Sequence, residues 1–453
     1  MMGKSPNQGQ TELFRSRLVD IINPEHELVK LATEIDWKGI ENHFSPLYSA
    51  VGQPSKPVRL MVGLLKLKSL YNLSDENLIG AWIQNPYMQY FCGEVFFSWK
   101  QPCDPTELIY FRKRIGKDGC ERLLKSSIDV HGQEFHESDE LIVDTFVQEK
   151  NITYPTETKM NLRAIEHMWD IIDKEGVEIR QSYRRTVSKL KKQLRRNKGK
   201  AAKAAKKARK KIRNITGRLH RELMRKLGDA LYRYDDLLGV IGCLLEQQFG
   251  DVGGGNKIYS LHEPHVNCIA KGKAGKKYEY GNKVSVTQHN KSGLMVGVDS
   301  FATNPYDGHT LPGVLQTARR ITGLEFKVAI VDGGYRGSTR IGNTEIVLPD
   351  NGKGLSQAQR EEKKRQLTDR AAIEPRIGHL KTDHRVGRNF LKGIIGDHIN
   401  AIMGAVGFNL KKRLNFLKKR SFFWLKTKIV QIWTIISLAN QNMPTLKKMQ
   451  LIA

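Results

Sequence analysis

The chain has 453 residues, of which 39% are hydrophobic, so it is not disordered throughout and can form two to three domains with at least one sizeable core. Lys and Arg number 75 against 47 acidic residues, a formal charge of +28, and a surface that basic seeks polyanions, nucleic acid being the commonest. The five cysteines (Cys92, Cys103, Cys120, Cys243 and Cys268) are odd in number and form no CxxC pair, which argues against a disulfide framework and a zinc ribbon.

Residues 1–12 are polar and are expected to fray, with no apolar segment of a signal peptide. Residues 13–138 are expected to form an all-α domain with helix-turn-helix character. Val58, Met61, Val62, Leu64, Leu65, Leu67 and Leu70 recur at helical spacing. Ser74 is a candidate N-cap for the next helix. Asp104-Pro105-Thr106-Glu107 offers a cap, a first-turn proline and a capping-box glutamate.

Strand composition begins at residue 139 and lasts to 156. Residues 157–250 return to helix and carry most of the charge: residues 184–226 hold 20 Lys or Arg and one acid, Glu222. Alternating Ala and Lys near residues 201–211 give strong helix propensity with almost no apolar face. An inserted antiparallel hairpin of two long helices, basic towards its tip, is expected. A run of like charge gains from a polyanion by counterion release, which points to a DNA clamp without sequence specificity. The clamp would use Lys191, Lys192, Arg195, Arg196, Lys206, Lys207, Lys210 and Lys211.

Residues 278–287 and 294–301 read as hairpin strands, 311–322 as an amphipathic helix, 326–332 as a buried strand and 344–348 as a shorter one. Helices follow over 355–419, and 421–453 is expected to form a helical tail. Its most apolar part, 429–439, is too short to span a bilayer, so no membrane is expected and a cytoplasmic, nucleoid-associated location is.

Asp144 interrupts the apolar run Leu141-Ile142-Val143-Asp144-Thr145-Phe146-Val147, and Asp332 closes Phe326-Lys327-Val328-Ala329-Ile330-Val331-Asp332. A carboxylate among such residues is costly unless a cation offsets its desolvation. Glu374 follows in a helical pattern, with Arg370 one turn before it and Lys381 two turns after it, all on one face. The order is strand with Asp, two strands, helix, strand with Asp, strand, helix with Glu. It is the order of an RNase H-like fold. The expected architecture is therefore a mixed-sheet α+β or α/β catalytic core over 139–156 and 251–420, with an N-terminal all-α domain and an inserted basic helical hairpin. In that fold the two aspartate strands lie parallel and adjacent, and three carboxylates can hold two Mg²⁺ or Mn²⁺ ions about 4 Å apart for phosphoryl transfer. Against this, Asp332-Gly333-Gly334 is also a plain turn signal, and Asp299 is a competing strand aspartate.

Five segments carry a family resemblance: Ile142-Val143-Asp144-Thr145, Asn151-Ile152-Thr153-Tyr154-Pro155-Thr156, Asn304-Pro305-Tyr306-Asp307-Gly308-His309-Thr310-Leu311, Val331-Asp332-Gly333-Gly334-Tyr335-Arg336-Gly337, and Ile373-Glu374-Pro375-Arg376-Ile377-Gly378-His379-Leu380-Lys381. Through them the chain resembles bacterial insertion-sequence transposases of the DDE class, in the family numbered five, over about residues 45–418. The related signature places tyrosine where this chain has Leu367. The resemblance implies that Asp144, Asp332 and Glu374 are the catalytic, metal-binding triad. It also implies hydrolytic nicking at the element's ends and attack of the freed 3′-hydroxyl on target DNA. Terminal inverted repeats would be bound mainly by the N-terminal domain, and a homodimer would act on paired ends.

Arg370 and Lys381 suit a phosphate backbone beside such a site, and His384, Arg385 and Arg388 extend the basic surface. Asp307 and His309 are secondary candidates for metal or DNA contact. His262, His265 and Cys268 look superficially like a metal cluster, but a loop explains them better because no fourth ligand is evident. Gly272-Lys273-Ala274-Gly275-Lys276-Lys277 lacks P-loop spacing, so ATP is not expected. Two alternative readings are a catalytically inactive DNA-binding protein on the same fold and an RNase H-like junction or repair nuclease.

Overall fold

Ahead of the first strand the described chain is helical: α1 (Leu18–Ile21), α2 (Glu27–Glu34), α3 (Trp37–Phe44), α4 (Val58–Leu70), α5 (Asp75–Gln84), α6 (Pro86–Phe91) and α7 (Pro105–Asp129). The computed structural model describes residues 2–3, 15–49, 51–132, 138–194, 201–249, 257–270, 275, 277–349 and 354–441, with side chains for all of these except 201, 248, 249 and 420–441. The frayed N-terminus expected over 1–12 therefore lies outside the described residues, apart from residues 2 and 3.

The caps fall where the sequence puts them. Ser74 Oγ accepts from the Asn77 amide at 3.1 Å. Asp104 accepts from the Thr106 amide at 2.8 Å while the Glu107 carboxylate accepts from the Asp104 amide at 2.8 Å. Helix α4 is buried on nearly every side, which explains why its apolar residues are not confined to one stripe. Arg112 does not reach the surface. It makes two bonds of 2.9 and 2.7 Å to Asp75, which also holds Lys68 at 2.6 Å.

The strands are β1 (Glu140–Lys150), β2 (Asn267–Ala270), β3 (Tyr278–His289), β4 (Met295–Phe301), β5 (Val328–Ile330), β6 (Arg340–Ile341), β7 (Thr344–Val347) and β8 (Arg388–Asn389). They form one sheet in the order β2-β3-β1-β5-β7-β6, with β4 also on β3 and β8 on β1. β1 runs antiparallel to β3 and parallel to β5, and β5 runs parallel to β7. This is the mixed-sheet arrangement expected. The aspartate strand is shorter than its apolar run: β5 stops at Ile330, and Asp332 already caps a 3-10 turn, Gly333–Tyr335.

Four helices follow β1: α8 (Glu157–Glu175), α9 (Arg184–Leu194), α10 (Ala201–Lys226) and α11 (Asp235–Phe249). They replace the two-helix hairpin expected from the pattern. Gly176, left-handed at φ +64°, ends α8 and turns the chain back early. The Ala–Lys stretch also has a buried seam, Ala205, Ala208, Ile212, Ile215 and Leu219, because alanine lets helices approach closely. These helices share a core of their own. Arg195 and Arg196 lie outside the described residues.

The remaining helices are α12 (Asp307–Thr322), α13 (Gln357–Arg370), α14 (Ile373–Asp383) and α15 (Gly393–Gln441). Helix α15 continues through residues 420 and 421 without a break, so no boundary separates the core from the start of the tail; residues 442–453 lie outside the described ones. Its first half packs on α2, α4, α7 and β4. One hydrophobic cluster therefore runs from the N-terminal helices through the sheet. Arg413 clasps Glu34 at 2.7 and 2.8 Å across this junction.

A buried polar network ties the end of β1 to α15. Lys150 donates to Asp397 and lies 3.2 Å from Glu263; His265 Nε2 and Asn282 Nδ2 meet Asp397 Oδ2 at 3.0 and 2.6 Å. His265 is committed here, and Cys268 lies in β2 and not in the loop expected for it.

Candidate active site

Asp144 and Thr145 are partly exposed between the buried runs 141–143 and 146–148 of β1. Leu141 and Ile142 pair with Ala329 and Ile330 of β5, so Asp144 and Asp332 lie two residues beyond one shared rung. In a parallel pair, equivalent positions present side chains to the same side. Asp332 accepts the Gly334 amide at 2.8 Å, which fixes its carboxylate over the turn.

A third carboxylate arrives from α12. Asp307 accepts from Thr145 Oγ1 at 2.9 Å and from Lys283 Nζ at 2.8 Å; Lys283 also donates to the Pro305 carbonyl at 2.6 Å. A β-carbon built on Gly334 would lie 2.9 Å from Asp332 Oδ1 and 3.3 Å from Asp307 Oδ2, so glycine leaves room for both. Tyr335 is 1% exposed beneath them. Burial, then Asp144, Asp307 and Asp332 in that order, push its phenol well above the usual tyrosine range. It therefore stays protonated under ordinary conditions.

Glu374 stands apart from this group. Arg370 ends α13 and Ile373 begins α14, with Glu374 next, so the single helix face expected for Arg370, Glu374 and Lys381 is interrupted at residues 371–372. Glu374 is 70% exposed, with Arg370 3.9 Å away. Helix α14 nonetheless packs on β1, and Lys381 Nζ lies 5.2 Å from the centre of the Phe146 ring, two residues past Asp144. Among the described residues no three His, Cys, Asp or Glu side chains stand close enough together to hold one ion. The donor chemistry still suits a hard divalent cation, since the carboxylates of Asp332 and Asp307 meet over Gly334 and those of Asp144, Asp307 and Asp332 all act on Tyr335.

The other candidates divide. His384 is not on a DNA-facing surface: it is 3% exposed, and Nδ1 donates to the Ser69 carbonyl at 2.8 Å. Burial lowers its pKa, so the ring is held neutral. Arg385 is half-buried over the Phe390 ring, whereas Arg388 is exposed. Lys191 is paired with Glu166 at 2.8 Å. Lys192, Lys206, Lys207, Lys210 and Lys211 are exposed. His309 is exposed beside Tyr306. Asp299 does not compete for the site, since Lys117 and Thr317 hold it at 2.8 and 2.7 Å. Sequence reasoning passed over Lys283, Gly334 and Tyr335. Lys283 carried the same signal as Asp144, a charge set in a β-branched strand.

Comparisons with known proteins agree with this architecture. A transposase domain, DUF772, matches residues 16–114, and a transposase DDE domain matches residues 260–410. The second match takes in Asp332 and Glu374 but begins after the insertion, so it omits β1 and Asp144. The uncharacterized protein ORF8 in the nfe locus of Rhizobium meliloti is 42% identical over 200 residues, which are 43% of this chain and 97% of that protein. No solved structure matches the chain. Among the described residues no helix is long and apolar enough to cross a membrane. With an RNase H-like core and an N-terminal transposase domain joined in one chain, the protein belongs to the insertion-sequence DDE transposases, which are DNA-binding polynucleotidyl transferases.

Proposed function

We propose that the chain moves an insertion element of the family numbered five. It would hydrolyse phosphodiesters at the element's terminal inverted repeats and join the freed 3′-hydroxyl to target DNA. The observation that carries this reading is the shared rung of β1 and β5, from which Asp144 and Asp332 emerge together. Members of this family use divalent metal. Asp144 and Asp332 would hold divalent Mg²⁺ or Mn²⁺, with Glu374 completing the set of ligands for two ions once α14 moves towards them, and the metal would supply Lewis-acid activation for phosphodiester cleavage and joining. Lys381 and Arg370 would bind the phosphates on either side of the scissile bond. Lys283 and Thr145 orient Asp307 beside the site, and Tyr335 supplies a proton-bearing floor under the carboxylates. The N-terminal helices would bind the inverted repeats, and two copies of the chain would act on paired ends in the bacterial cytoplasm.

The test is strand transfer by the full chain with Mg²⁺ and DNA carrying the element's ends. Asp144→Asn, Asp332→Asn and Glu374→Gln should each abolish joined product while leaving DNA binding intact. Joined product from Asp144→Asn at the native rate would remove the proposal. The separation of Glu374 from the aspartates favours a second reading, an inactive DNA-binding protein. That reading requires the native chain to give no cleavage at all, whereas cleavage without joining would indicate a nuclease.

A further inference from the structure

Beyond the far end of β1 lies a groove that the chemistry at Asp144 does not use. Residues 151–155, helices α8 and α9, and residues 259–262 enclose about 470 Å³. A second lobe of about 400 Å³ continues past Tyr154 to Lys277, Tyr278 and Tyr280. Tyr154 and Arg388 line both lobes.

The walls combine tyrosine faces with cations. Tyr154 is 63% exposed and Tyr278 is 41% exposed, so neither serves a core. Tyr154 meets the Tyr280 ring edge-on with centroids 5.6 Å apart, and Tyr259 meets the same ring at 5.6 Å. Lys277 Nζ lies 5.4 Å from the Tyr278 ring centre, and Lys159 and Arg388 are exposed on the rim. Lys191 adds no net charge here because Glu166 neutralises it. Aromatic faces edged by cations recognise unpaired nucleotides: bases stack on the rings while the cations follow the phosphates. A duplex hides its base faces and gives such rings nothing to stack on.

We propose that this groove binds unpaired DNA nucleotides, with Tyr154 as the stacking platform and Arg388 and Lys277 as phosphate contacts. The choice of DNA as ligand rests on the transposition reading above. From Asp144 to Lys150 the strand covers about 20 Å, or roughly six nucleotides at duplex spacing. The strand held in the groove would thus lie about half a helical turn from the position where Asp144 acts.

The test compares a fluorescent twelve-nucleotide oligothymidine with a mixed-sequence duplex of equal length, using the full chain at fixed salt without divalent metal. Tyr154→Ala should weaken the single strand about tenfold and the duplex less than about twofold, and Tyr154→Phe should bind both as the native chain does. Arg388→Gln should weaken the single strand and lower its salt slope by about one. Unchanged single-strand affinity in Tyr154→Ala, or equal weakening of the duplex, would overturn the assignment. Asp144→Asn separates the two claims, since it should bind oligothymidine normally while losing strand transfer. Native discrimination in a chain that never joins DNA would leave the groove standing without the transposition reading.

Discussion

Asp144 and Asp332 stand in the same relation to one rung of the sheet: Ile142 pairs with Ile330, and each aspartate follows two residues later on its own strand. Past that rung the chains part. Asp144 stays in β1, opposite Val286 of β3, while Asp332 turns to cap Gly333–Tyr335. The notch between them is bounded by Asp307 and floored by Tyr335. Asp144 and Thr145 are partly exposed there, between the buried runs 141–143 and 146–148 of β1.

Gly334 should be essential to this notch. Alanine there would put a methyl group 2.9 Å from Asp332 Oδ1 and 3.3 Å from Asp307 Oδ2. The carboxylates would have to move apart, and displacements of about 1 Å near reacting groups can cost on the order of 100-fold in rate. Gly334→Ala should therefore lower strand transfer at least about tenfold while shifting the urea midpoint little, since residues 332–334 are at least partly exposed. Native activity in that variant would show that the two carboxylates need not approach this closely.

The ion pair between Lys283 and Asp307 should be strongly coupled. Their side chains are 11% and 27% exposed, and Lys283 also donates to the Pro305 carbonyl just ahead of α12. Removing one partner leaves a largely buried charge uncompensated. Lys283→Met and Asp307→Asn should each destabilise the fold by about 2–3 kcal/mol, with the double variant costing about 1–2 kcal/mol less than their sum. Urea denaturation of the four proteins measures the cycle, and additive losses would show that the pair acts only as two independent surface groups.

Much of this architecture was readable from the residues, and the failures have physical causes. Asp144 and Asp332 stood out because carboxylates rarely sit in apolar strands. The helix starts at Ser74 and Asp104 stood out because capping is local chemistry. What was missed depends on tertiary contact. Gly176 hid the early end of α8, and the alanines of α10 looked like exposed helix formers until their seam met neighbouring helices. His384 looked like part of a basic surface because a sequence does not show what packs over it. The break at residues 371–372 did leave a sequence mark, Pro375, which fits the first turn of a new helix and not the interior of a continuous one.

Lys66 should make stability rise with pH. It is fully buried, donates to Ser126 Oγ at 2.8 Å and lies 5.5 Å from the Trp37 ring centre. Burial lowers its pKa from 10.5 to about 7. Between those values the unfolded chain holds the proton and the folded chain does not, so stability climbs as pH rises from about 7 towards 10.5. Below about 7 both states are charged and the full penalty applies. Lys66→Met should be more stable than the native chain at pH 6 by roughly 3–5 kcal/mol, and the difference should shrink by pH 10. A constant difference across that range would show that the buried amine does not titrate on folding.

The outer face of α10 should act on DNA through charge alone. Lys206, Lys207, Lys210 and Lys211 are exposed, while Ala205, Ala208 and Ile212 face the insertion's core. Replacing the four lysines by glutamine preserves helix propensity and the buried seam, so folding should be unaffected. Each lysine that neutralises a phosphate adds about 0.9 to the slope of log affinity against log salt. The quadruple variant should therefore lose up to about 3–4 units of slope on any duplex, with equal weakening for sequences with and without the element's ends. Affinities at several salt concentrations check this. An unchanged slope would mean that the face stays in solvent when DNA binds, and a loss confined to one sequence would mean that α10 reads bases rather than phosphates.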